Sequence, residues 1–142
     1  MFSKRVAIAL TLLFSFAAIP AFAEGLALGY GQNLPTETVN GKTYKVLARG
    51  VLAPGQSTQL SGVRFESNAF ARIVGIGEGP GSDLDIYVND PATGNIGSDT
   101  LRDNFPIVEW QTGNGLFSRN TADVNIRNAG SGYCTYVILA NW

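Results

Sequence analysis

The sequence contains no histidine, and its single cysteine is Cys134. Without an imidazole, a Ser-His-Asp arrangement and every zinc site that uses histidine are excluded. One thiol is also too few to suggest a transition metal. Because Cys134 has no second cysteine to pair with, the domain must be held together by its core. We expect Cys134 to be a small buried residue in the last strand, with an intermolecular bridge as the alternative.

A long apolar run is missing as well. The apolar stretch at residues 6–18 is too short to cross a bilayer. It follows Lys4 and Arg5 and precedes an Ala-Phe-Ala sequence at 21–23, a small-x-small pattern typical of a signal peptide cleavage site. We therefore predict a cleaved signal peptide at residues 1–23 and an exported protein, periplasmic or secreted, with no membrane span.

Basic residues are outnumbered by acidic ones. The chain has 10 basic and 11 acidic residues, and removal of the signal peptide would leave 8 against 11, a formal charge of about −3. Nucleic acids and anionic lipids bind basic surfaces. We therefore expect no nucleic acid partner and no attachment to an anionic membrane.

What the chain does contain is a series of short alternating segments separated by turn residues. No stretch after residue 24 has a sustained helical period. The segments predict an all-β fold, an antiparallel β-sandwich of jelly-roll-like type with about seven to eight strands; a closed barrel is the alternative. The predicted strands cover residues 42–52, 57–65, 69–77, 83–89, 105–112, 122–128 and 133–141.

The expected mature chain of 119 residues is long enough for one domain. Residues 24–40 are predicted to form a loose N-terminal arm, because several glycines and Pro35 interrupt any alternation there. Residues 41–142 form the predicted sandwich domain. Within it, the sequence DPATGN at 90–95 is predicted to be a loop, since Pro91 ends the preceding strand.

The segment GSDLDIYVNDPATGNIGSD, residues 81–99, carries the most informative pattern in the chain. Its apolar positions alternate with Asp83, Asp85, Tyr87 and Asn89, so this polar set shares one face of a strand. Six of the eleven acidic residues lie within residues 78–103, where there is one basic residue. The pattern therefore predicts a strand with a locally acidic outer face.

Three interpretations of these carboxylates stay open. Calcium takes six to eight oxygen ligands, and the candidate ligands are Asp83, Asp85, Asp90 and Asp99. Alternatively, two carboxylates form the acid pair of a small secreted hydrolase, which needs a separation of about 5–10 Å and one raised pKa. In the third interpretation the acids face water and protect a sheet edge, while Asp90 caps its own turn. The D-x-D-x-D-G loop, a strong calcium pattern, is absent from the sequence.

Aromatic side chains add a candidate for ligand binding. Tyr87 shares a face with Asp83 and Asp85, where its ring can stack on a sugar or a peptide, and these three residues form the candidate ligand-binding site. Trp110 alternates with a valine in the sequence VEW and is expected in the core. Trp142 is expected to cover one end of the sandwich.

Several segments of the chain together resemble a known family. They are SDLDIYVNDPATGNIGSDT at 82–100, NFPIVEW at 104–110 and ADVNIRNAGSGYCTYVI at 122–138. They look like the bacterial pre-peptidase C-terminal domain, which has an S-D-L-D-L-Y-V strand, a D-x-x-G-N turn, a V-x-W strand, a strand ending in V-x-N-x-G and a closing tyrosine-rich strand. The upstream RGVLAPGQSTQL also resembles an early segment of that family, so the resemblance covers roughly residues 48–140.

The resemblance implies a β-sandwich that serves secreted enzymes as a non-catalytic accessory module. Some relatives, including collagen-binding domains, bind calcium and an extended protein or polysaccharide. We expect no attached catalytic domain, which would be a departure from the family, and the DPATGN turn is longer than D-x-x-G-N. We therefore expect a module, not an enzyme, that binds an extracellular protein or polysaccharide or assists another secreted protein, with calcium as the candidate cofactor and no other cofactor expected. The alternatives are a small secreted hydrolase and a purely structural protein.

Overall fold

The structure is a computed structural model that describes residues 28–115 and 118–142. The predicted signal peptide, residues 1–23, and the first four residues of the predicted arm lie outside the described residues. In the described ranges there is no helix, and so none long and apolar enough to cross a membrane.

The described residues form nine strands, which pair antiparallel in two sheets. The strands are β1 (Thr36–Val39), β2 (Lys42–Leu52), β3 (Ser57–Arg64), β4 (Phe70–Glu78), β5 (Leu84–Asp90), β6 (Gly94–Asp99), β7 (Ile107–Gln111), β8 (Thr121–Asn128) and β9 (Cys134–Ala140). One sheet has five strands in the order β1-β2-β9-β4-β7, and the other has four in the order β3-β8-β5-β6. The predicted all-β antiparallel sandwich is confirmed.

Seven of the nine strands fall within two residues of the predicted segments, and β1 and β6 are additional. The prediction of a loose arm was wrong for β1, which pairs with β2 and starts opposite Lys45. Strand β6 begins inside the predicted loop, at Gly94, and pairs with β5. Its glycine, asparagine and aspartate residues have low strand propensity, so its structure comes from main-chain pairing with β5.

The main core lies between the two sheets. Leu84, Ile86 and Val88 of β5 point inward and are fully buried together with residues of the opposite sheet such as Ile73 and Ile138. Strict alternation with polar residues in β5 is what places these three side chains on one face. The core therefore fixes which side of β5 faces solvent.

The predictions for the two tryptophans and the cysteine are confirmed. Trp110 is buried, packs edge-on against Phe65 with ring centroids 4.8 Å apart, and donates its indole N–H to the carbonyl of Arg119 at 2.9 Å. Trp142 also packs edge-on against the ring of Phe65, with ring centroids 5.0 Å apart, so it covers an end of the core. Cys134 is fully buried, and burial raises the pKa of its thiol.

Two glycine-rich loops interlock at the end of the sandwich where β5 begins. One precedes β5 at residues 79–83, and the other joins β8 to β9 at residues 129–133. The N–H of Ser131 donates to the carbonyl of Gly81 at 2.9 Å. The two backbones run in direct contact here, so the position of β5 depends on the loop that follows β8.

Asn128, the last residue of β8, joins both of these loops to the end of β2. Its side chain is fully buried. The amide nitrogen donates to the carbonyls of Leu52 and Gly132 at 3.1 and 2.7 Å. The amide oxygen accepts from the N–H groups of Asp83 and Gly130 at 3.3 and 3.0 Å. All four hydrogen-bonding positions of the amide are therefore used.

Candidate functional site

The outer face of the four-stranded sheet carries polar side chains in register across its strands. Tyr87 of β5 lies opposite Asn125 of β8, and Asn125 lies opposite Gln59 of β3. Directly opposed residues share a face, so these three side chains point away from the core together. A second row on the same face consists of Asp85, Arg127 and Ser57.

An open groove of about 570 Å³ lies over this face. Its side chains supply hydrogen-bond donors and acceptors from amides and hydroxyl groups, the fixed donors of one guanidinium, and one aromatic ring. The groove, called the polar groove below, is lined by Gly55, Ser57, Gln59, Tyr87, Asn89, Asn125 and Arg127. Its volume lies within the range of about 300–1,000 Å³ that is usual for small-ligand sites.

The predicted ligand-binding residues occupy two different positions on this face. Tyr87 is half-buried and lies within the polar groove together with Asn89. Asp85 lies one pleat before Tyr87, opposite Arg127, and Asp83 precedes the strand. Of the four residues predicted to share a face, Asp85, Tyr87 and Asn89 do so, whereas Asp83 precedes the strand. Of the predicted ligand residues Asp83, Asp85 and Tyr87, Tyr87 lines the groove.

Asp85 is buried, which differs from the interpretation in which the acids face water. Asp85 is 5 % exposed, and its Oδ1 has no hydrogen-bond partner among the described residues. Burial raises the pKa of Asp85, the negative charge of Asp83 raises it further, and the positive charge of Arg127 opposes the shift. Removal of a carboxylate from water disfavours the charged form, so Asp85 holds its proton to a higher pH than an exposed aspartate.

Stability should depend on pH through Asp85. Between the ordinary pKa of about 3.8 in the unfolded chain and the raised pKa in the fold, the folded state binds more protons. The free energy of unfolding therefore falls as pH rises through this window and then levels off. We expect Asp85→Asn to be more stable than the wild type by roughly 1 kcal/mol at pH 7 and little changed at pH 3, as measured by urea unfolding.

A second variant separates burial from charge. Asp83→Asn should raise stability at pH 7 by less than Asp85→Asn does, since the charge of Asp83 contributes less than burial to the shift at Asp85. Equal destabilisation by Asp85→Asn at pH 3 and pH 7 would show instead that the carboxylate makes a stabilising contact.

Asp90 lies far from the other predicted calcium ligands. It ends β5, five residues after Asp85, which corresponds to roughly 16 Å along an extended strand. Its Oδ1 accepts from the N–H of Ala92 at 2.7 Å. Asp90 therefore caps its own turn, as the third interpretation of the acids expected.

Asp99 points to the opposite side of the sheet from Asp85. It lies opposite Ile86, whose side chain is in the core, so Asp99 shares the inward face at the edge of the sheet. Its carboxylate accepts from the N–H groups of Leu101 and Ile107 at 3.1 and 2.9 Å. This carboxylate holds the chain between β6 and β7.

The four predicted calcium ligands, Asp83, Asp85, Asp90 and Asp99, are thus not brought together. In residues 28–115 and 118–142 there is no group of three or more carboxylate or thiol side chains placed to hold a metal ion. Asp83 and Asp85 remain close to each other, since the negative charge of Asp83 raises the pKa of Asp85, but Asp83 lies just before β5.

The groove residues of β3 and β8 were missed by sequence reasoning. Gln59 comes from β3, while Asn125 and Arg127 come from β8, where they alternate with the buried side chains of Val124 and Ile126. The alternation in β8 is visible in the sequence and predicts an outward polar face for that strand. It does not reveal which strands pair, and pairing is what places these residues beside Tyr87.

Other aromatic residues do not extend the groove. Tyr133 is 66 % exposed, but it lies outside the groove, as the last residue of the loop that joins β8 to β9. Tyr136 is buried in the core, and burial raises the pKa of its phenol. Tyr87 is therefore the aromatic residue lining the groove in the described part of the chain.

A scan against protein-family models finds no match for this chain, and a search of curated proteins finds none either. The resemblance to the pre-peptidase C-terminal domain stays a prediction from the motifs. The functional argument therefore rests on the groove itself.

Proposed function

We propose that this protein is an exported, non-catalytic binding module that takes an extracellular polysaccharide chain in the polar groove. The observation that carries the proposal is the register of Gln59, Asn125 and Tyr87, which sets two amides and one aromatic ring in a row across three strands. Rigid strands hold the row in place, so little order has to be gained on binding.

The chemistry of the row suits sugars. Each sugar hydroxyl group donates and accepts hydrogen bonds, and the side-chain amides of Gln59, Asn89 and Asn125 offer both functions at short spacing. Arg127 adds donors in a fixed planar arrangement. Side chains of this kind orient a ligand that has many hydroxyl groups and no net charge.

Tyr87 supplies the apolar part of the recognition. The negative face of a tyrosine ring attracts the C–H groups on the flat side of a sugar ring, and the phenol can hydrogen-bond at its edge. The groove is open along the sheet, so an extended chain can pass over Tyr87 without being enclosed. An extended polymer therefore fits this surface better than a compact ligand.

The proposal is tested by binding measurements with soluble oligosaccharides. The exported protein is titrated calorimetrically with cellohexaose, chitohexaose, mannohexaose and soluble xylan as probes, each with and without a chelator. We expect at least one probe to bind, with an affinity that the chelator leaves unchanged, and Tyr87→Ala to weaken it by roughly tenfold or more.

The matched control is Tyr133→Ala, which removes an exposed tyrosine outside the groove. It should bind like the wild type. Equal weakening by both variants, or retained affinity in Tyr87→Ala, would contradict the groove as the binding site. An extended peptide that binds in place of every sugar would transfer the site to a protein ligand.

One observation favours the hydrolase as a second candidate. Asp85 combines burial with a raised pKa, as a general acid requires, and Asp83, two positions earlier, is close enough for its negative charge to raise that pKa further. The same probes distinguish the two functions. Release of new reducing ends by the wild type, lost in Asp85→Asn, would establish catalysis and overturn the proposal of a binding module.

A further inference from the structure

A second open cavity, of about 450 Å³, lies where β3 ends and β8 begins. Its aromatic side chain at the surface is Tyr30, which is 42 % exposed and donates its hydroxyl to Oε1 of Glu66 at 3.2 Å. The volume lies within the range of about 300–1,000 Å³ that is usual for small-ligand sites. The cavity is called the second cavity below, and its other lining residues are Arg64, Phe65, Glu66, Ser67, Asn120 and Thr121.

The polar groove and the second cavity lie along the same pair of strands. Gln59 and Asn125, which face each other in β3 and β8, line the groove. Arg64 and Thr121, which face each other further along these strands, line the second cavity. The even-numbered residues of β8 are buried, so Thr121 and Asn125 both point outward, and Arg64 shares the face of Thr121. The two cavities therefore open on one face of the four-stranded sheet.

Tyr87 and Tyr30 mark the two ends of this surface. Tyr87 lies opposite Asn125, one strand beyond β8, and Gly29, which precedes Tyr30, pairs with Arg64 at the outer edge of β3. Four residues of β8 correspond to about 14 Å along the strands, and three strand spacings correspond to about 14 Å across them. The two tyrosine positions are therefore roughly 20 Å apart on an oblique path across the strands.

Small polar residues occupy the surface between the two cavities. Ser61 of β3 is exposed, and its hydroxyl accepts from Nε2 of Gln59 at 3.1 Å. Asp123 of β8 is half-buried, and its Oδ1 accepts from the N–H of Gly62 at 2.8 Å, so its carboxylate is held against the sheet. Between the cavities, the outer face of β3 and β8 thus carries small side chains over which an extended ligand can pass.

The second cavity has the same kinds of groups as the polar groove. Both contain a tyrosine ring, a side-chain amide, hydroxyl groups and one guanidinium. In the second cavity, Asn120 donates from Nδ2 to the hydroxyl of Ser67 at 2.9 Å, and Arg64 donates from Nη2 to the carbonyl of Tyr30 at 3.2 Å. Arg64 and Glu66 contribute one charge of each sign. The cavity therefore suits a ligand with many hydroxyl groups and no net charge.

We propose that the second cavity is an auxiliary site for the same neutral polysaccharide chain, whose segment beyond the polar groove stacks on Tyr30. This inference rests on the proposed function of the groove. Once the groove holds one part of the chain, binding of another part in the second cavity is intramolecular, so even a weak contact raises the overall affinity. The length of the ligand thereby becomes part of the specificity of the protein.

The test compares short and long members of the same sugar series. The protein is titrated calorimetrically with cellotriose and cellohexaose, chitotriose and chitohexaose, and mannotriose and mannohexaose. Three sugar units are shorter than the span between Tyr87 and Tyr30, and six are longer. We expect one hexaose to bind roughly tenfold more tightly than its triose. Tyr30→Ala should remove most of this gain and leave the affinity for the triose unchanged.

Two control variants should keep the gain with length. Tyr30→Phe retains the ring and removes its hydrogen bond to Glu66, and Tyr133→Ala removes an exposed tyrosine outside both cavities. If Tyr30→Ala does not fold, Arg64→Ala changes an exposed position of the second cavity and should also reduce the gain. An undiminished gain in the variant of the second cavity, with both lengths weakened by Tyr87→Ala, would refute the second cavity alone. No binding of any probe would refute the groove and the second cavity together.

Discussion

Replacement of Asn128 by alanine is expected to lower the free energy of unfolding by roughly 3–5 kcal/mol, one of the two largest effects of any single change considered in this protein. The side chain is fully buried and makes four hydrogen bonds. Alanine removes the donor nitrogen and the acceptor oxygen of the amide at once. The carbonyls of Leu52 and Gly132 would be left without these donors in a buried position, which costs more than the loss of a solvent-exposed bond.

The loss at Asn128 should also be cooperative. Its amide connects the end of β2 with the loops that precede β5 and β9, so the three segments would loosen together. Urea unfolding and thermal melting measure the effect, and a decrease in Tm of roughly 10–20 °C corresponds to the expected loss for a domain of this size.

The matched control for this prediction is Asn125→Ala. Asn125 lies in the same strand, three positions earlier, but its side chain faces the polar groove. Its replacement should change stability by no more than about 0.5 kcal/mol. A loss below about 1 kcal/mol in Asn128→Ala would show that the loops keep their positions without the amide.

Gly132→Ala is the second substitution expected to have a large effect. A methyl group built on Gly132 would overlap the carbonyl oxygen of Pro80 in the facing loop. The obstacle is backbone, so it cannot move aside as a flexible side chain would. We expect a loss of about 3 kcal/mol or more in urea unfolding, because one of the two interlocked loops would have to shift.

Gly113→Ala controls for a general loss of glycine. A methyl carbon added at Gly113 would have its nearest neighbouring atom 3.8 Å away, which is an ordinary van der Waals contact. Its backbone lies outside the left-handed region, so alanine should be neutral or slightly stabilising there. Wild-type stability in Gly132→Ala would mean that the loops are further apart than in this structure.

The sequence predicts the strands well because their alternation is local. Each of the seven predicted strands contains its own apolar period, and turn residues such as those in APGQ separate them. Strand β6 could not be predicted in this way, because it consists mainly of glycine, asparagine and serine and has no apolar period. It forms by pairing with β5, which is a tertiary interaction. The burial of Asp85 has the same origin, because β5 lies between two other strands.

The candidate site is predicted in part. Tyr87 could be identified from a single strand, since it alternates with core residues in DLDIYVN. Its partners Asn125 and Gln59 come from other segments, and their register with Tyr87 follows from the strand order, which the sequence does not encode locally. The density of acidic residues in this segment suggested a shared site for the carboxylates. In the structure, however, Asp90 and Asp99 accept hydrogen bonds from backbone N–H groups two residues further along the chain.

The polar groove as a polysaccharide site is tested most directly by amide NMR during a titration with cellohexaose, chitohexaose, mannohexaose and soluble xylan in turn. The proposal predicts that one probe shifts the backbone amides of Tyr87, Asn125 and Gln59 and the side-chain amides of the latter two, with smaller changes elsewhere. Shifts confined to the outer face of the five-stranded sheet, or no shift with any of the four probes, would contradict it.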